Sequence, residues 1–389
     1  MISFSKLLLG SEYYGDTLRY HKSAKNYQKG TTRGHGPIVV WNCTKACNLR
    51  CRHCYSSCTG PAGDHEMTTK EAMQFMDQLV AYRVPVLLFS GGEPFMRQDL
   101  KTLLEYGRTI GLRMVISTNG TLIDEKMAAK LKELEVSYVG ISLDGLESVN
   151  DRFRGVPGSY QKALSGIHNC HEVRQKIGLR LTLSKETVGE LPKIFDLIEK
   201  EKVERVCFYH LVYSGRGSEI QNEDLTKEEK RKAIDYIIEK TYDFHKRGVK
   251  TEILTVDNHC DGIYLYRYLK EKDPIRAQEV LRLLSINGGN RSGVAISAVD
   301  WDGFVYIDQF TKEIPLGNVR DKNFGEIWDG SENEFLDKLR DRKNYLKGRC
   351  KDCHWLTQCN GNFRARALST FDIWNEDPGC YFTDEEIKA

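Results

Sequence analysis

The sequence predicts an α/β fold in which six βα units form an open or partial barrel. From residue 36 to about residue 255, short apolar runs rich in β-branched and aromatic residues alternate with longer amphipathic stretches. Such alternation is typical of a parallel sheet, whose active site lies at the carboxyl ends of its strands. The cysteine-rich segment CTKACNLRCRHCYSSC, residues 43–58, directly follows the first apolar run. The fold class therefore places this segment where parallel α/β proteins carry their chemistry.

The predicted elements of this barrel, residues 36–255, follow one another as strand, helix, strand. The predicted strands are residues 37–43, 84–90, 112–118, 137–143, 179–184 and 205–211. The predicted helices are residues 68–82, 98–110, 124–135, 159–176, 190–202 and 219–247. The last helix has a charged, solvated face and ends the domain. Residues 1–35 are predicted to form an extended or partly helical N-terminal arm.

Residues 256–389 are predicted to form a linker and a second, smaller domain. Two alternating runs flank Asp302-Gly303, which is a strong hairpin signal. Four further cysteines follow with the spacing C-x2-C-x5-C-x20-C, and these are Cys350, Cys353, Cys359 and Cys380.

The composition of the chain argues against several classes of function. The chain has 389 residues, 40% of them hydrophobic and 29% charged, and a net charge of only +2, so a general polyanion-binding role and a nucleic-acid partner are not expected. The apolar KLLLG run near the start is too short to span a membrane. The sequence also shows no charged segment followed by an apolar segment and a small-residue cleavage site, which is the pattern of a signal peptide. These features favour the cytoplasm, where clustered cysteines bind metals more often than they form disulfides. An extracellular disulfide protein is the alternative.

Cys47, Cys51 and Cys54 form a C-x3-C-x2-C triad on one short loop. Three soft thiolates can hold three corners of a cubic iron–sulfur cluster and leave one iron open for chemistry. A zinc site is the alternative for the same residues. Of the remaining cysteines, four are predicted to be buried bystanders: Cys43, Cys170, Cys207 and Cys260. Cys58 is predicted to be a bystander in a loop, and an approach to the cluster or substrate is the alternative.

The triad after the first strand of such a barrel resembles the radical S-adenosylmethionine (SAM) superfamily. The resemblance implies a 4Fe–4S cluster on the three cysteines, with SAM at the open iron as the source of a 5′-deoxyadenosyl radical. GGEP at the end of the second strand resembles the motif that binds the methionyl amino group, and Glu93 is expected to accept hydrogen bonds from this ammonium. STNG and SLDG, at the ends of the next two strands, resemble positions that bind the carboxylate and ribose. The implied SAM-binding residues are Gly91, Gly92, Glu93, Pro94, Ser117, Asn119, Ser142 and Asp144.

The tail cysteines resemble the auxiliary-cluster part of the SPASM and twitch extensions of this superfamily. Four thiolates would ligate every iron of a second 4Fe–4S cluster. A full SPASM extension would have more cysteines, but Asn290 and Phe363 stand in the relevant regions, and residues 261–349 contain none. The resemblance therefore implies one auxiliary cluster and two clusters in total. A tail zinc site is the alternative.

Several longer segments, such as FYHLVYSGRG and TVDNHCDG, resemble the radical SAM enzymes that remodel siroheme-derived tetrapyrroles. The resemblance implies an iron-containing tetrapyrrole substrate, an electron donor such as ferredoxin or flavodoxin, and no membrane partner. The leading hypothesis is removal of the acetate side chains of 12,18-didecarboxysiroheme to give Fe-coproporphyrin III. The alternatives are propionate removal in d1-haem synthesis, decarboxylation of Fe-coproporphyrin III to haem, and peptide modification. A non-enzymatic electron carrier or haem chaperone is a further alternative, and the GGEP and STNG positions argue against it.

Such a substrate is flat, carries many carboxylates and contains iron. Its carboxylates would suit arginines in loops or at strand ends, and the candidates are Arg152, Arg154, Arg216 and Arg291. His210 and His259 are the predicted catalytic residues, because imidazole binds iron and titrates near neutral pH. His210 ends the last predicted strand, facing the expected site.

Overall fold

The computed structural model describes residues 1–20, 30–31, 35–330 and 333–388. None of the helices in these ranges combines the length and the apolar character that a membrane span requires.

The described residues form one open sheet in the order β1-β8-β7-β6-β5-β4-β3-β2-β9-β10-β11. Its strands are β1 Ile2–Ser3, β2 Ile38–Asn42, β3 Leu87–Ser90, β4 Met114–Thr118, β5 Val139–Ser142, β6 Ile177–Leu183, β7 Arg205–His210, β8 Glu252–Val256, β9 Ile296–Val299, β10 Phe304–Tyr306 and β11 Gly317–Asn318. Strands β2 to β8 are parallel to one another. The six predicted strands are confirmed as β2 to β7.

The helices cover this sheet. They are α1 Phe4–Leu9, α2 Asp16–Arg19, α3 Thr69–Ala81, α4 Leu100–Thr109, α5 Glu125–Glu133, α6 Glu147–Arg154, α7 Ser159–Glu172, α8 Leu191–Lys200, α9 Lys227–Lys246, α10 Cys260–Lys272, α11 Pro274–Asn287, α12 Phe324–Asp329, α13 Glu334–Arg340, α14 Leu356–Cys359, α15 Arg364–Leu368 and α16 Asp384–Lys388. Helix α3 shows why these segments start where they do, because Thr68 and Glu71 form a reciprocal capping box at its first turn. Its apolar residues, among them Phe75 and Leu79, are buried in the core against the sheet.

The sheet extends beyond the six predicted strands at both edges. Strand β8 pairs in parallel with β7, and the short β1 pairs antiparallel with β8, so the start of the N-terminal arm belongs to the sheet. At the other edge β9 runs parallel to β2 and turns back into β10 through Asp302 and Gly303, which confirms the predicted hairpin. Residues 21–29 and 32–34 of the predicted arm lie outside the described residues.

This topology determines where a site can form. The parallel strands end at one edge of the sheet, and the loop that carries the cysteine triad leaves β2 at that edge. A cavity of about 430 Å³ lies there, which is within the range of about 300–1,000 Å³ that is usual for small-molecule sites.

Candidate cluster, cofactor and substrate site

The three cysteines of the triad all line this cavity. Their loop is closed at its base by two backbone hydrogen bonds between Cys47 and Gly60, at 2.9 and 3.0 Å. Cys51 accepts a hydrogen bond from Arg154 at 3.7 Å, measured from Nη1 to Sγ, and this cation also faces the cavity. The arrangement brings three thiols and a positive charge to one wall, which suits an anionic cluster with thiolate ligands.

Gly91 and Gly92 lie directly against the cysteine loop. The Gly92 amide donates to the Thr44 carbonyl at 2.8 Å, and a Cβ atom on Gly92 would lie only 2.1 Å from the Ala46 carbonyl oxygen. Gly91 has a φ of 132°, a conformation that favours glycine. The sequence predicts that these glycines allow close approach to a ligand. The structure adds that they allow close approach between two loops, and both glycines also line the cavity.

The carboxylate of Glu93 is turned away from the cavity. It is fully buried and accepts hydrogen bonds from the Thr118 hydroxyl and the Asn119 amide, both at 2.7 Å, and from the Phe95 amide at 3.2 Å. Burial raises its pKa to about 7 despite these three donors. In the structure this carboxylate joins the ends of β3 and β4. Its expected contact with the SAM ammonium stays a prediction.

The remaining motif residues divide into two groups. Ser117, Asn119 and Ser142 line the cavity, as a role in SAM binding requires. Pro94 begins a short 3₁₀ turn behind the wall. Asp144 is fully buried, where it pairs with Arg154 and accepts a hydrogen bond from the Thr182 amide at 2.6 Å. Pro94 and Asp144 therefore lie behind the residues that line the cavity, and their expected role in SAM binding stays a prediction.

Three of the four arginine candidates line the cavity, namely Arg154, Arg216 and Arg291. Arg216 also holds the cysteine loop, because its Nε donates to the Cys51 carbonyl at 2.8 Å. Arg152 does not belong to this group. Its side chain is 59% exposed and pairs with Glu186 at 2.5 Å, so the structure does not bring it together with the other three.

Arg180 is a cavity residue that the sequence analysis missed. It lies in the middle of β6 and donates to the Ser117 hydroxyl at 2.6 Å, while its Nε has no partner. Gly140 on the neighbouring strand makes room for it, because a Cβ atom there would lie 2.4 Å from the Arg180 Nε. An arginine inside the strand-forming run LRLTL is the signal that could have identified it.

Both predicted histidines lie at the cavity. His210 ends β7, and its Nε2 lies 2.9 Å from Asp261 Oδ2. His259 precedes α10, and burial lowers the pKa of its imidazole well below the ordinary value. In each histidine the Nδ1 atom is buried and has no hydrogen-bond partner. A third imidazole, His53 of the cysteine loop, also lines the cavity and was not predicted.

Unsatisfied polar atoms are concentrated around this cavity. Besides the histidine nitrogens, Asp257 Oδ2 and Asp308 Oδ2 are buried without a partner. Burial raises the pKa of Asp257 to about 7. A buried polar atom without a hydrogen bond costs on the order of 1–3 kcal/mol. The cavity is therefore suited to a ligand that carries both donors and acceptors.

A second cavity lies in the C-terminal region and is lined by five cysteines. Four are the predicted ligands Cys350, Cys353, Cys359 and Cys380, and the fifth is Cys260 at the start of α10. Cys260 Sγ lies 3.5 Å from Cys380 Sγ, and this contact lowers the pKa of the Cys380 thiol. Cys260 is therefore buried as predicted, but it is not isolated from the other cysteines. Cys43 and Cys170 are buried in the main core as predicted, whereas Cys58 is buried beside the first cavity.

Both donor sets fit iron–sulfur clusters. Among the described residues, no three His, Cys, Asp or Glu side chains converge closely enough to bind a single metal ion. Three thiols on one wall of the first cavity suit a 4Fe–4S cluster with one open iron, and the four predicted thiols of the second cavity suit a fully ligated one. Where a full SPASM extension would have further cysteines, Asn290 accepts a hydrogen bond from Arg342 at 2.5 Å and Phe363 packs against Phe310.

Two family models match the chain, the radical SAM superfamily at residues 41–198 and an iron–sulfur cluster-binding domain named SPASM at residues 294–354. The structure of Streptococcus suis SuiB bound to S-adenosylmethionine superimposes with a TM-score of 0.70, at 16% identity, over 89% of this chain and 77% of that one. This likeness shows a shared fold.

Two curated relatives are much closer in sequence. Fe-coproporphyrin III synthase from Methanosarcina barkeri is 50% identical over 100% of this chain and 99% of its own length. Pre-heme d1 synthase from Dinoroseobacter shibae is 37% identical over 96% of this chain and 92% of its own length. The chain therefore belongs to the radical SAM superfamily, in the group of enzymes that contains these two synthases.

Proposed function

We propose that this chain removes the two acetate side chains of 12,18-didecarboxysiroheme and so produces Fe-coproporphyrin III. The observation that carries this proposal is the 50% identity to an Fe-coproporphyrin III synthase over essentially the full length of both chains. The 37% identity to a pre-heme d1 synthase keeps propionate removal from the same precursor as the second candidate.

The cavity supports a carboxylate-rich iron macrocycle as the ligand. Arg154, Arg180 and Arg291 line it, and guanidinium groups form strong paired hydrogen bonds with carboxylates. The free Nδ1 atoms of His210 and His259 provide candidate ligands for iron or candidate proton carriers. Burial lowers the pKa of Arg291, so an anionic substrate would also relieve the cost of burying its positive charge.

The residues on the side of the cavity formed by the cysteine loop would hold the cluster and SAM. Cys47, Cys51 and Cys54 supply the thiolates, while Gly92 and Ser142 lie on the surface that SAM would contact. When bound, this pair of cofactors supplies a 5′-deoxyadenosyl radical that abstracts a hydrogen atom from the substrate. The protein must then hold one C–H bond close to the adenosyl carbon and exclude water from a reactive intermediate.

The removal of each acetate group balances in bonds, electrons and protons. Hydrogen abstraction leaves a carbon radical on the ring, and cleavage of the neighbouring C–C bond forms a ring double bond and releases a carboxymethyl radical. One electron and one proton convert this radical to acetate. A second electron is needed to cleave SAM, so we assign a low-potential donor such as ferredoxin or flavodoxin, and a cytoplasmic location with it.

Mass spectrometry of anaerobic reactions tests the proposal. The reconstituted protein is mixed with 12,18-didecarboxysiroheme, SAM and dithionite. Loss of two acetates is the expected result, whereas loss of two propionates would assign the d1-haem reaction. An unchanged tetrapyrrole would overturn both assignments. In that case Fe-coproporphyrin III and peptide substrates are the next to assay, for the haem-forming and peptide-modifying reactions.

Two arginine variants test whether the cavity binds the tetrapyrrole. Arg180→Gln should weaken tetrapyrrole binding, because it removes a cation from the cavity wall. Arg152→Gln is the matched control, because this arginine pairs with Glu186 at the surface. Difference spectra of the bound tetrapyrrole measure both affinities. Equal affinities in the two variants would remove Arg180 from the substrate site.

A further inference from the structure

Cys260 lies in the tail cavity with the four cysteines whose spacing predicts the auxiliary cluster. It is separated from Cys380 by 120 residues along the chain, yet their sulfur atoms are 3.5 Å apart. We propose that Cys260 is a fifth functional thiol of the auxiliary cluster, which donates a hydrogen bond to the Cys380 thiolate and raises the reduction potential of the cluster.

The short sulfur–sulfur distance argues against a role for Cys260 as an additional ligand. Ligands of different irons in one cubane are held apart by the cluster, so two sulfur atoms in contact cannot both ligate without moving. Four cysteines already satisfy four irons. Cys380 lies beyond α15 and completes the tail spacing, whereas Cys260 is fixed at the first turn of α10 and is 1% exposed.

Hydrogen bonding around Cys260 orients its S–H group. The side-chain amide of Asn362 donates to Cys260 Sγ at 3.4 Å and to Asn258 Oδ1 at 2.9 Å. This contact occupies the acceptor side of the sulfur and leaves its S–H free to donate to Cys380 Sγ, which lies 3.5 Å away. A neutral thiol also avoids the charge repulsion that a fifth thiolate would add beside a cluster.

A donor at this position has a predictable electronic effect. Reduction adds one negative charge to the cluster and its thiolates, so a hydrogen bond to a ligating sulfur stabilises the reduced state more than the oxidised state. Hydrogen bonds to the sulfurs are among the factors that set the potentials of iron–sulfur clusters. Loss of the Cys260 thiol should therefore shift the auxiliary potential to a more negative value.

The experiment uses the full chain with Cys47, Cys51 and Cys54 replaced by Ala, so that only the tail cluster remains. Into this background we introduce Cys260→Ala, Cys260→Ser and, as a matched buried control, Cys170→Ala. Iron content, circular dichroism and EPR-monitored redox titration are measured. The expected result is unchanged iron in all three variants and a more negative potential in Cys260→Ala alone. Cys260→Ser should retain a potential close to the parent, because its hydroxyl still donates.

Two results would overturn the proposal. Loss of iron in a folded Cys260→Ala variant would make Cys260 a ligand rather than a donor. An unchanged potential in that variant, equal to the Cys170→Ala control, would make it a bystander. If Cys260→Ala does not fold, a Cys260→Ser variant with altered iron content or a more negative potential would equally overturn it. The readout does not depend on the tetrapyrrole reaction, so failure here leaves the proposed function untouched, and the reverse also holds.

Discussion

Asp261 holds His210 in place from behind the cavity. The Oδ2 atom of Asp261 lies 2.9 Å from His210 Nε2, and both side chains are almost completely buried. A carboxylate accepts hydrogen bonds, so Nε2 carries the hydrogen and Nδ1 presents its lone pair when the ring is neutral. The other oxygen, Oδ1, accepts a hydrogen bond from the Tyr381 hydroxyl at 2.8 Å. Asp261 therefore fixes both the orientation and the tautomer of the histidine.

The first prediction concerns this contact. Asp261→Asn should weaken tetrapyrrole binding by on the order of 10-fold to 100-fold, as is typical for the partner of a metal-bound histidine. Substrate-independent formation of 5′-deoxyadenosine should change little, because Asp261 is not a residue of the SAM surface. Spectroscopic titration of the tetrapyrrole and chromatography of 5′-deoxyadenosine measure the two quantities.

Tyr381→Phe is the control for Asp261→Asn. It removes a hydrogen bond to the same carboxylate and leaves the bond to His210 in place. We expect its substrate affinity to stay close to that of the parent protein. If Tyr381→Phe and Asp261→Asn weaken binding equally, the effect comes from general damage to the helix start rather than from His210.

The second prediction concerns the cysteine triad. Triple replacement of Cys47, Cys51 and Cys54 by Ala should abolish 5′-deoxyadenosine formation and leave about half of the iron, since the tail cluster remains. Iron analysis and chromatography measure the result, and triple Ala replacement of Cys43, Cys170 and Cys207 is the matched control. Continued SAM cleavage in the triad variant would exclude these residues as the cluster ligands.

Local sequence patterns predicted the strands and the triad, because both depend on residues close together in the chain. Cys260 could not be predicted in this way, since its contact with Cys380 is created only when α10 packs near the tail loop. Arg152 and Arg154 show a different limit of prediction from local sequence. Residues 152 and 154 were assigned to loops or strand ends, but both lie on α6, where residues two apart point about 200° apart around the axis. Only one of them can therefore face the cavity.

The third prediction follows from the buried carboxyl of Glu93, whose pKa burial raises to about 7. A raised carboxyl pKa means that the folded state binds a proton more tightly than the unfolded state. Its stabilising contribution is therefore fully present below the ordinary pKa of about 4 and is lost as the pH rises through about 7. A shift of this size corresponds to on the order of 3 kcal/mol. Thermal unfolding of the reconstituted protein should thus give a midpoint that falls between about pH 4.5 and pH 7 and levels off above this range.

Glu93→Gln should flatten this pH dependence, because it removes the titrating group. Some slope should remain, since the pKa of Asp257 is raised to about 7 for the same reason and its contribution has the same sign. The exposed Glu125→Gln variant is the control and should keep the full slope. A parent-like slope in Glu93→Gln would show that Glu93 stays charged in the folded state across this range.

The last prediction concerns the task of the tail cluster, which we expect to conduct electrons rather than bind substrate. Four cysteines leave no open iron, so the cluster can pass an electron but cannot bind substrate without losing a ligand. A route toward the substrate exists, because Tyr381 directly follows Cys380 and its hydroxyl reaches Asp261, which contacts His210 at the cavity. The released carboxymethyl radical provides the demand for that electron.

The competing explanation is that the cluster only stabilises the C-terminal fold, since metal ligation contributes folding free energy. Double replacement of Cys353 and Cys359 by Ala separates the two roles, with Cys170→Ala as the control for loss of a buried thiol. We expect a folded variant that still releases 5′-deoxyadenosine but loses most of its fully deacetylated product, as measured by circular dichroism, chromatography and mass spectrometry. Full product formation without the tail cluster would contradict electron transfer. Loss of the folded state would instead assign the cluster a structural role, because an electron conduit alone does not need to hold the tail together.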